Sequence, residues 1–255
     1  MADELLFEVG DDGVALATIN RPARLNAMTD GVLDGLARAL DACDRDRAIR
    51  ALVLTGAGTR AFTAGIDLDL VQEDAEAFRR FVCRELAGMY ARLAALRVPV
   101  VAAVEGIAYA TGAELLFVCD LAYAGRAARF CFPDLRLGLA VATPLWGATD
   151  ALVRTRLAEL AYTSAAFTAD EARELGLVTR VVDEGAALEA ALATARTIAG
   201  QAPLAVELTR KALNRQRAAD IAAFMELERR AIGSDDFLEG VRAFREKRAP
   251  RWTGR

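Results

Sequence analysis

The stretch Val100–Asp120, V-V-A-A-V-E-G-I-A-Y-A-T-G-A-E-L-L-F-V-C-D, constrains this chain more than any other. After Pro99 it opens on an unbroken apolar run, the pattern of a strand covered on both faces. Gly106 turns the chain, and Gly112 precedes an apolar helical stretch with Glu114 in its first turn. A carboxylate at a buried helix start, beside a glycine turn with free backbone N–H groups, is a place where acyl chemistry can be done. The simpler reading makes Glu114 an acid that complements a helix dipole. These residues alone leave both open.

The 255 residues can bury one large core, or a core with a small appendage. With 54% hydrophobic and 27% charged residues, a compact soluble fold is expected. The net charge of −4 argues against a general nucleic-acid surface but allows a local basic pocket for an anionic ligand. The N-terminus, M-A-D-E-L-L-F, lacks the basic start and apolar core of a signal peptide, and no apolar stretch reaches the length of a membrane span. A cytoplasmic protein, with neither nucleic acid nor membrane as partner, is the expectation. Cys43, Cys83, Cys119 and Cys131 have no C-x-x-C spacing and read as reduced packing residues. The absence of histidine excludes a Ser-His-Asp triad, a Cys-His pair and a His-ligated metal. Acid–base chemistry must therefore rest on carboxylates, Tyr, Lys or Cys.

In chain order, Leu5 to Val9 and Val14 to Ile19 read as two strands joined by the turn Asp11-Asp12-Gly13. Val32, Leu33, Leu36, Ala37 and Leu40 mark a helix capped by Thr29 or Asp30 and running to about Asp44. Ala51 to Thr55 is a short strand, followed by glycine turns at Gly56–Gly58 and Gly65. Phe78, Phe81, Val82, Leu86, Met89, Tyr90 and Leu93 predict a helix from about Asp74 to Leu96, stopped by Val98-Pro99. Leu121 to Ala124 is a strand, Leu145 to Leu160 helical, and Thr168 to Glu171 a capping box; Leu177 to Val182 is a last strand. Ala186 to Arg248 reads as helical, broken at Gly200 to Pro203 and near Gly233. Strand, glycine turn and helix recur three times in the first 125 residues, which predicts a layered α/β core with a helical C-terminal appendage.

Several segments together carry a family resemblance: N-R-P-A-R-L-N-A-M at Asn20–Met28, L-V-L-T-G at Leu52–Gly56, A-F-T-A-G-I-D-L at Ala61–Leu68, P-V-V-A-A-V-E-G at Pro99–Gly106 and A-T-G-A-E-L at Ala110–Leu115. Further on come F-P-D-L-R-L-G at Phe132–Gly138, the T-A-D-E-A-R-E-L-G-L-V block from Thr168, and F-R-E-K-R-A-P-R-W near the end. In this order and spacing the chain resembles the crotonase superfamily, the enoyl-CoA hydratase and isomerase group, from about Ala15 to Trp252. The resemblance implies a crotonase-like α/β spiral of β-β-α units over 1–198 and a C-terminal helical region over 199–255 that builds a homotrimer, or a hexamer as a dimer of trimers.

The resemblance also implies chemistry. A thioester enolate would be held by two backbone N–H groups, of Ile66 and of Thr111, the latter where the family often has glycine. Glu114 and Asp134 would be the two catalytic carboxylates that handle the water, Asp134 standing where the family usually has glutamate. Aspartate draws that carboxylate back by roughly 1.3–1.5 Å, an error that can cost about a hundredfold in rate. Coenzyme A, as part of the substrate, would lie along Arg24, Leu25 and Ala27 and over Ala64, Gly65, Asp67 and Leu68, with Gly112 allowing close approach. Lys247 and Arg248 could meet its phosphates from a neighbouring subunit. Where hydratases carry a glycine-rich run, this chain reads Leu139 to Gly147, and Trp146 is the candidate wall of the acyl pocket. No metal or separate cofactor is expected, since Gly56-Ala57-Gly58 lacks the rest of a dinucleotide fingerprint. The implied activity is hydration of a 2-enoyl-CoA. An isomerase or C–C hydrolase of the same fold, and a catalytically silent acyl-CoA binder, are the alternatives.

Overall fold

The computed structural model describes residues 3–71, 75–141, 151–215 and 217–255. Strands β1 (Leu5–Val9) and β2 (Val14–Ile19) form a hairpin, closed where the Gly10 N–H donates to the Val14 carbonyl at 2.9 Å. Helix α1 (Asp30–Arg45) follows, capped by the Thr29 side chain, which accepts from the Val32 N–H at 3.2 Å. Next come β3 (Ala51–Gly56), β4 (Ala61–Thr63) and a long helical segment made of α2 (Ala75–Arg80), a π-helical stretch (Phe81–Leu86) and α3 (Ala87–Ala95). The chain continues with β5 (Val100–Val104), β6 (Ile107–Tyr109), α4 (Thr111–Val118), β7 (Leu121–Gly125) and β8 (Arg129–Cys131). It ends with α5 (Ala151–Thr163), β9 (Phe167–Thr168), α6 (Ala169–Glu174), β10 (Arg180–Val182), α7 (Ala187–Ala199), α8 (Pro203–Leu213), α9 (Arg217–Ile232) and α10 (Asp235–Arg245).

The larger sheet has the order β1-β2-β3-β5-β7-β10, parallel throughout except for the β1/β2 hairpin. Its central strand β5 is buried at all five positions because it is covered twice. Leu52 and Leu54 of β3 and Ala102 and Val104 of β5 face the main core, whereas Val53, Val101 and Ala103 face Ala187, Ala191, Ala195 and Ala199 of α7. That alanine stripe, repeating every four residues, lets the helix lie close on the sheet. The apolar run after Pro99 thus has its partner 84 or more positions downstream, in a helix that shares none of its sequence pattern.

The smaller sheet, β4-β6-β8-β9, takes one short strand from each turn of the spiral: β3-β4-helix, β5-β6-α4, then β7-β8. This is the crotonase-like arrangement. Sequence periodicity does not reveal β4, β6 and β8, because three residues are too few for an alternation. The expected strand at Leu177 to Val182 is shorter, Arg180–Val182; Leu177 and Val178 instead turn into the core, both N–H groups donating to the Ala172 carbonyl. The start of the helix expected from Leu145 lies outside the described residues, and its remainder is α5. The capping box at Thr168 and Glu171 is formed. Buried Arg210 of α8 donates to the Leu93 carbonyl at 2.7 Å and the Ala94 carbonyl at 3.1 Å, capping the end of α3, and pairs with Asp120 at 2.7 Å. Cys43, Cys119 and Cys131 are buried thiols, Cys83 is half-buried, and burial pushes Cys43 up to about 12. No helix among the described residues is long and apolar enough to cross a membrane.

Candidate active site

The site is assembled from turns that follow β2, β4 and β6. In the first, Leu25 and Asn26 both adopt positive φ, and the buried Asn26 amide donates to the carbonyls of Ala61 at 2.7 Å and Ala57 at 3.0 Å. Asn26 thereby ties the N-R-P segment to β4. Met28 then bridges the second turn, its N–H donating to the Gly65 carbonyl while its carbonyl accepts from the Asp67 N–H. The intervening Ile66 N–H stays out of that ladder. Gly65 has φ +101°, and a Cβ there would stand 2.8 Å from the Ala110 Cβ and 3.6 Å from the Thr111 nitrogen, so the two turns are pressed together.

The third turn carries strain. Ala110 sits at φ 48°, ψ −120°, a region that costs an L-residue of order 1–3 kcal/mol. It is the N-cap of α4, so this conformation aims Thr111, Gly112 and Ala113, the first N–H groups of the helix, and Thr111 has no intrahelical partner for its own N–H. Gly112 packs so closely on β4 that a Cβ would lie 2.5 Å from the Thr63 carbonyl oxygen.

Between these turns lies a cavity of about 470 Å³. Phe78, Val82 and Leu86, on α2 and the π-helical stretch, give it an apolar wall, and Arg24, Ala27, Ala64, Ile66, Asp67 and Leu68 line it on the side of the first two turns. π-turns inside α-helices are frequent at functional sites because they re-aim a face; here the extra residue falls on that wall. Glu114 and Asp134, from α4 and from the turn after β8, enter the same cavity. The Tyr90 hydroxyl of α3 donates to Glu114 Oε2 at 2.8 Å and accepts from the Thr111 side chain. Burial, and next the Glu114 charge, hold the Tyr90 phenol well above its usual range, which keeps it a donor. Burial, and next the charge of Glu114, push the Asp134 carboxyl well above the usual carboxylate range, and its Oδ2 has no hydrogen-bond partner.

Residues 10–255 match the family model described as enoyl-CoA hydratase/isomerase. The chain belongs to that family. A short-chain-enoyl-CoA hydratase of Clostridium acetobutylicum is 35% identical over 246 residues, 92% of each chain. The 1,2-epoxyphenylacetyl-CoA isomerase of Escherichia coli is 36% identical over 264 residues, 99% of each. A solved enoyl-CoA hydratase/isomerase from Mycobacterium paratuberculosis has a TM-score of 0.83 at 33% identity, covering 95% of this chain and 98% of its own. The relatives carry enzyme names, and the family is enzymatic.

In this enoyl-CoA hydratase/isomerase chain, nine of the residues singled out from sequence line one cavity: Arg24, Ala27, Ala64, Ile66, Asp67, Leu68, Thr111, Glu114 and Asp134. Leu25, Gly65 and Gly112 stand behind the wall and shape it through their backbones: the Leu25 carbonyl accepts from the Ala64 N–H at 3.0 Å. Trp146 lies outside the described residues. Arg24 is already engaged, pairing with Asp67 at 2.8 Å and with Asp69, while Arg21 holds the second Asp67 oxygen at 3.0 Å. Burial alone would raise the Asp67 carboxyl, but these guanidiniums and the Asp69 N–H bring it below its usual range. Asp67 is therefore ionised and locks the turn that presents Ile66. Arg248 pairs with Glu239 at 3.0 Å and with Glu246.

Sequence reading missed two groups. Tyr90 looked like one more apolar helix position, although a buried tyrosine always needs a partner for its hydroxyl. Glu228, on α9, lines the cavity and is 7% exposed. Its signal was its register: Ile221, Met225, Glu228 and Ile232 fall on one buried helix stripe, and only Glu228 is charged.

Proposed function

We propose that the protein adds water across the double bond of a 2-enoyl-CoA thioester. The observation that carries this reading is that Glu114 and Asp134 line one largely apolar cavity, on whose wall the Ile66 and Thr111 turns meet. The electrostatics divide the work. Asp134, held protonated by burial and by the charge of Glu114, supplies a proton; Glu114, receiving the Tyr90 hydrogen bond, accepts one. Water attacks the β-carbon as its proton passes to Glu114, the thioester oxygen takes up charge beside the Ile66 and Thr111 N–H groups, and the α-carbon takes the Asp134 proton. Passing the Glu114 proton to Asp134 restores the site. Each backbone donor contributes about 2.7–4 kcal/mol to the charged intermediate.

The coenzyme portion runs along Arg24, Leu25 and Ala27, with the Arg24 guanidinium at the mouth. The exposed Leu204, Leu208 and Leu213 of α8, with Phe244 and Trp252, support a homotrimer or a dimer of trimers, and a monomeric mass by light scattering would refute that assembly. Enoyl-CoA isomerisation is the second reading, favoured by the relative named as an isomerase. Glu114→Gln should abolish hydration of crotonyl-CoA and longer 2-enoyl-CoAs while acyl-CoA binding survives; unchanged turnover would overturn the assignment. Faster turnover of a 3-enoyl-CoA or a β-diketone by the unaltered enzyme would select an isomerase or a C–C hydrolase instead.

A further inference from the structure

Glu228 is a buried acid of the cavity wall that hydration leaves unused. It shares a buried stripe of α9 with Ile221, Met225 and Ile232, and Met225, one turn before it, also lines the cavity. Its Oε2 is buried and has no hydrogen-bond partner, and no cation pairs with Glu228 among the described residues. The backbone N–H of Ala140 is turned to its carboxyl, which leaves Oε2 as the unpaired oxygen, set beneath the wall that Glu228 contributes to the cavity. Phe78, Val82, Leu86 and Met225 give the same cavity apolar wall that cannot bond to it, and the charges acting on it are those of Glu114 and Asp134. Buried polar atoms are almost always satisfied in folded proteins, so one at the wall of a ligand cavity calls for a ligand atom.

We propose that Glu228 is a recognition group for the acyl chain, and that the preferred thioesters carry a neutral oxygen, a keto or hydroxyl group, on the chain beyond the reacting carbons. The proposal rests on the reading of this cavity as an acyl-CoA site and deepens it. The chemistry of the donor decides which oxygen fits. Burial, then the charges of Glu114 and Asp134, push the Glu228 carboxyl well above the usual range, so it carries a proton; with one oxygen accepting from Ala140, the O–H falls to the unpaired oxygen beneath the cavity wall. An aliphatic acyl chain laid against that hydroxyl leaves it unbonded, whereas a carbonyl or hydroxyl oxygen satisfies it. A site built to bond a substrate oxygen discriminates against the analogue lacking it far more strongly than an apolar pocket discriminates by size. An acyl chain ending in a carboxylate would instead meet the charge of Glu114, and one ending in an ammonium would require Glu228 to be ionised.

The test uses saturated thioesters, so that it reads binding whether or not the enzyme turns over. Dissociation constants are measured by calorimetry for hexanoyl-CoA, 4-oxohexanoyl-CoA, 5-oxohexanoyl-CoA, 6-hydroxyhexanoyl-CoA and 6-aminohexanoyl-CoA. At least one oxygenated chain should bind roughly tenfold or more tighter than hexanoyl-CoA. Glu228→Leu should abolish or invert that ratio, and Glu228→Gln, whose amide still donates, should keep part of it; melting curves establish that each variant is folded. The inference is overturned if hexanoyl-CoA binds as well as every oxygenated chain, if Glu228→Leu leaves the ratio unchanged, or if the amino chain binds best. An intact ratio with no hydration of any 2-enoyl-CoA would sink the hydratase reading alone. If no acyl-CoA binds at all, both fall.

Discussion

Replacing Tyr90 by Phe removes one oxygen atom from the interior, and with it the hydrogen bond that the phenol donates to Glu114 and the one it accepts from Thr111. The bond is direct, 2.8 Å from the phenol to Glu114 Oε2, and the tyrosine is 1% exposed, so water does not screen it. A hydrogen bond to a charged group contributes about 1.5–3 kcal/mol. Phenylalanine keeps the ring contacts, so little packing energy is lost. Two effects follow. Thr111 loses the acceptor for its hydroxyl, and Glu114 loses the donor that fixes its orientation towards the attacking water. If that full interaction is expressed only in the transition state, kcat/KM falls by roughly 10- to 150-fold with KM for crotonyl-CoA nearly constant. Steady-state hydration kinetics, with a melting curve on the same sample, provide the check. A fall in Tm with kcat unchanged would make Tyr90 a packing residue and refute its role in positioning Glu114; a rise in KM alone would place it on the substrate rather than on the acid.

Two further perturbations probe the site from other directions. Asp134 has a folded-state pKa above its unfolded value, so the folded protein holds this proton more tightly, and that contribution is complete below about pH 3.8 and is lost as pH rises towards the folded value. Asp134→Asn never ionises, so its Tm relative to the unaltered protein should be more favourable at pH 8 than at pH 5, and an equal difference at both pH values would contradict the assignment. Gly112→Ala places a Cβ 2.5 Å from the Thr63 carbonyl oxygen and forces the first turn of α4 off β4; a displacement of about 1 Å at Thr111 and Glu114 should cost on the order of a hundredfold in kcat/KM, and near-normal turnover would show that this helix start does not hold reacting groups.

The fold was legible where periodicity is long enough to read and where backbone chemistry is specific. The β1/β2 hairpin, the Thr29 cap, the doubly buried β5 and the capping box at Thr168 all follow from local pattern. The second sheet does not, because β4, β6 and β8 have three residues each and owe their existence to neighbours one spiral turn away. The π-helical stretch at Phe81–Leu86 has no local mark either, since its residues keep a helical apolar pattern. Among site residues, Glu114 could be singled out because a glycine turn and a helix start flank it, whereas Asp134 followed only from the family resemblance of Phe132–Gly138; Tyr90 and Glu228 lie in mid-helix, where neighbours in sequence say nothing about what faces them.

Those two residues share a property that sequence does carry. In an amphipathic helix, a polar side chain on the buried stripe must be bonded, titrated or matched by something that enters later, because desolvation without a partner costs more than a helix register can absorb. Tyr90 is bonded, to Glu114. Glu228 breaks the run Ile221, Met225, Ile232 and has an oxygen still unmatched in the folded chain. Asp134 is half-buried, and its Oδ2 is likewise buried without a partner. A chain held together only by burial would replace such acids with leucine at a gain in stability. Both line the same cavity as Glu114, beside a strained Ala110 and two turns pressed together at Gly65, so the large doubly covered sheet sustains a cluster of locally unfavourable choices around one cavity, which is what the proposed acyl-CoA site requires.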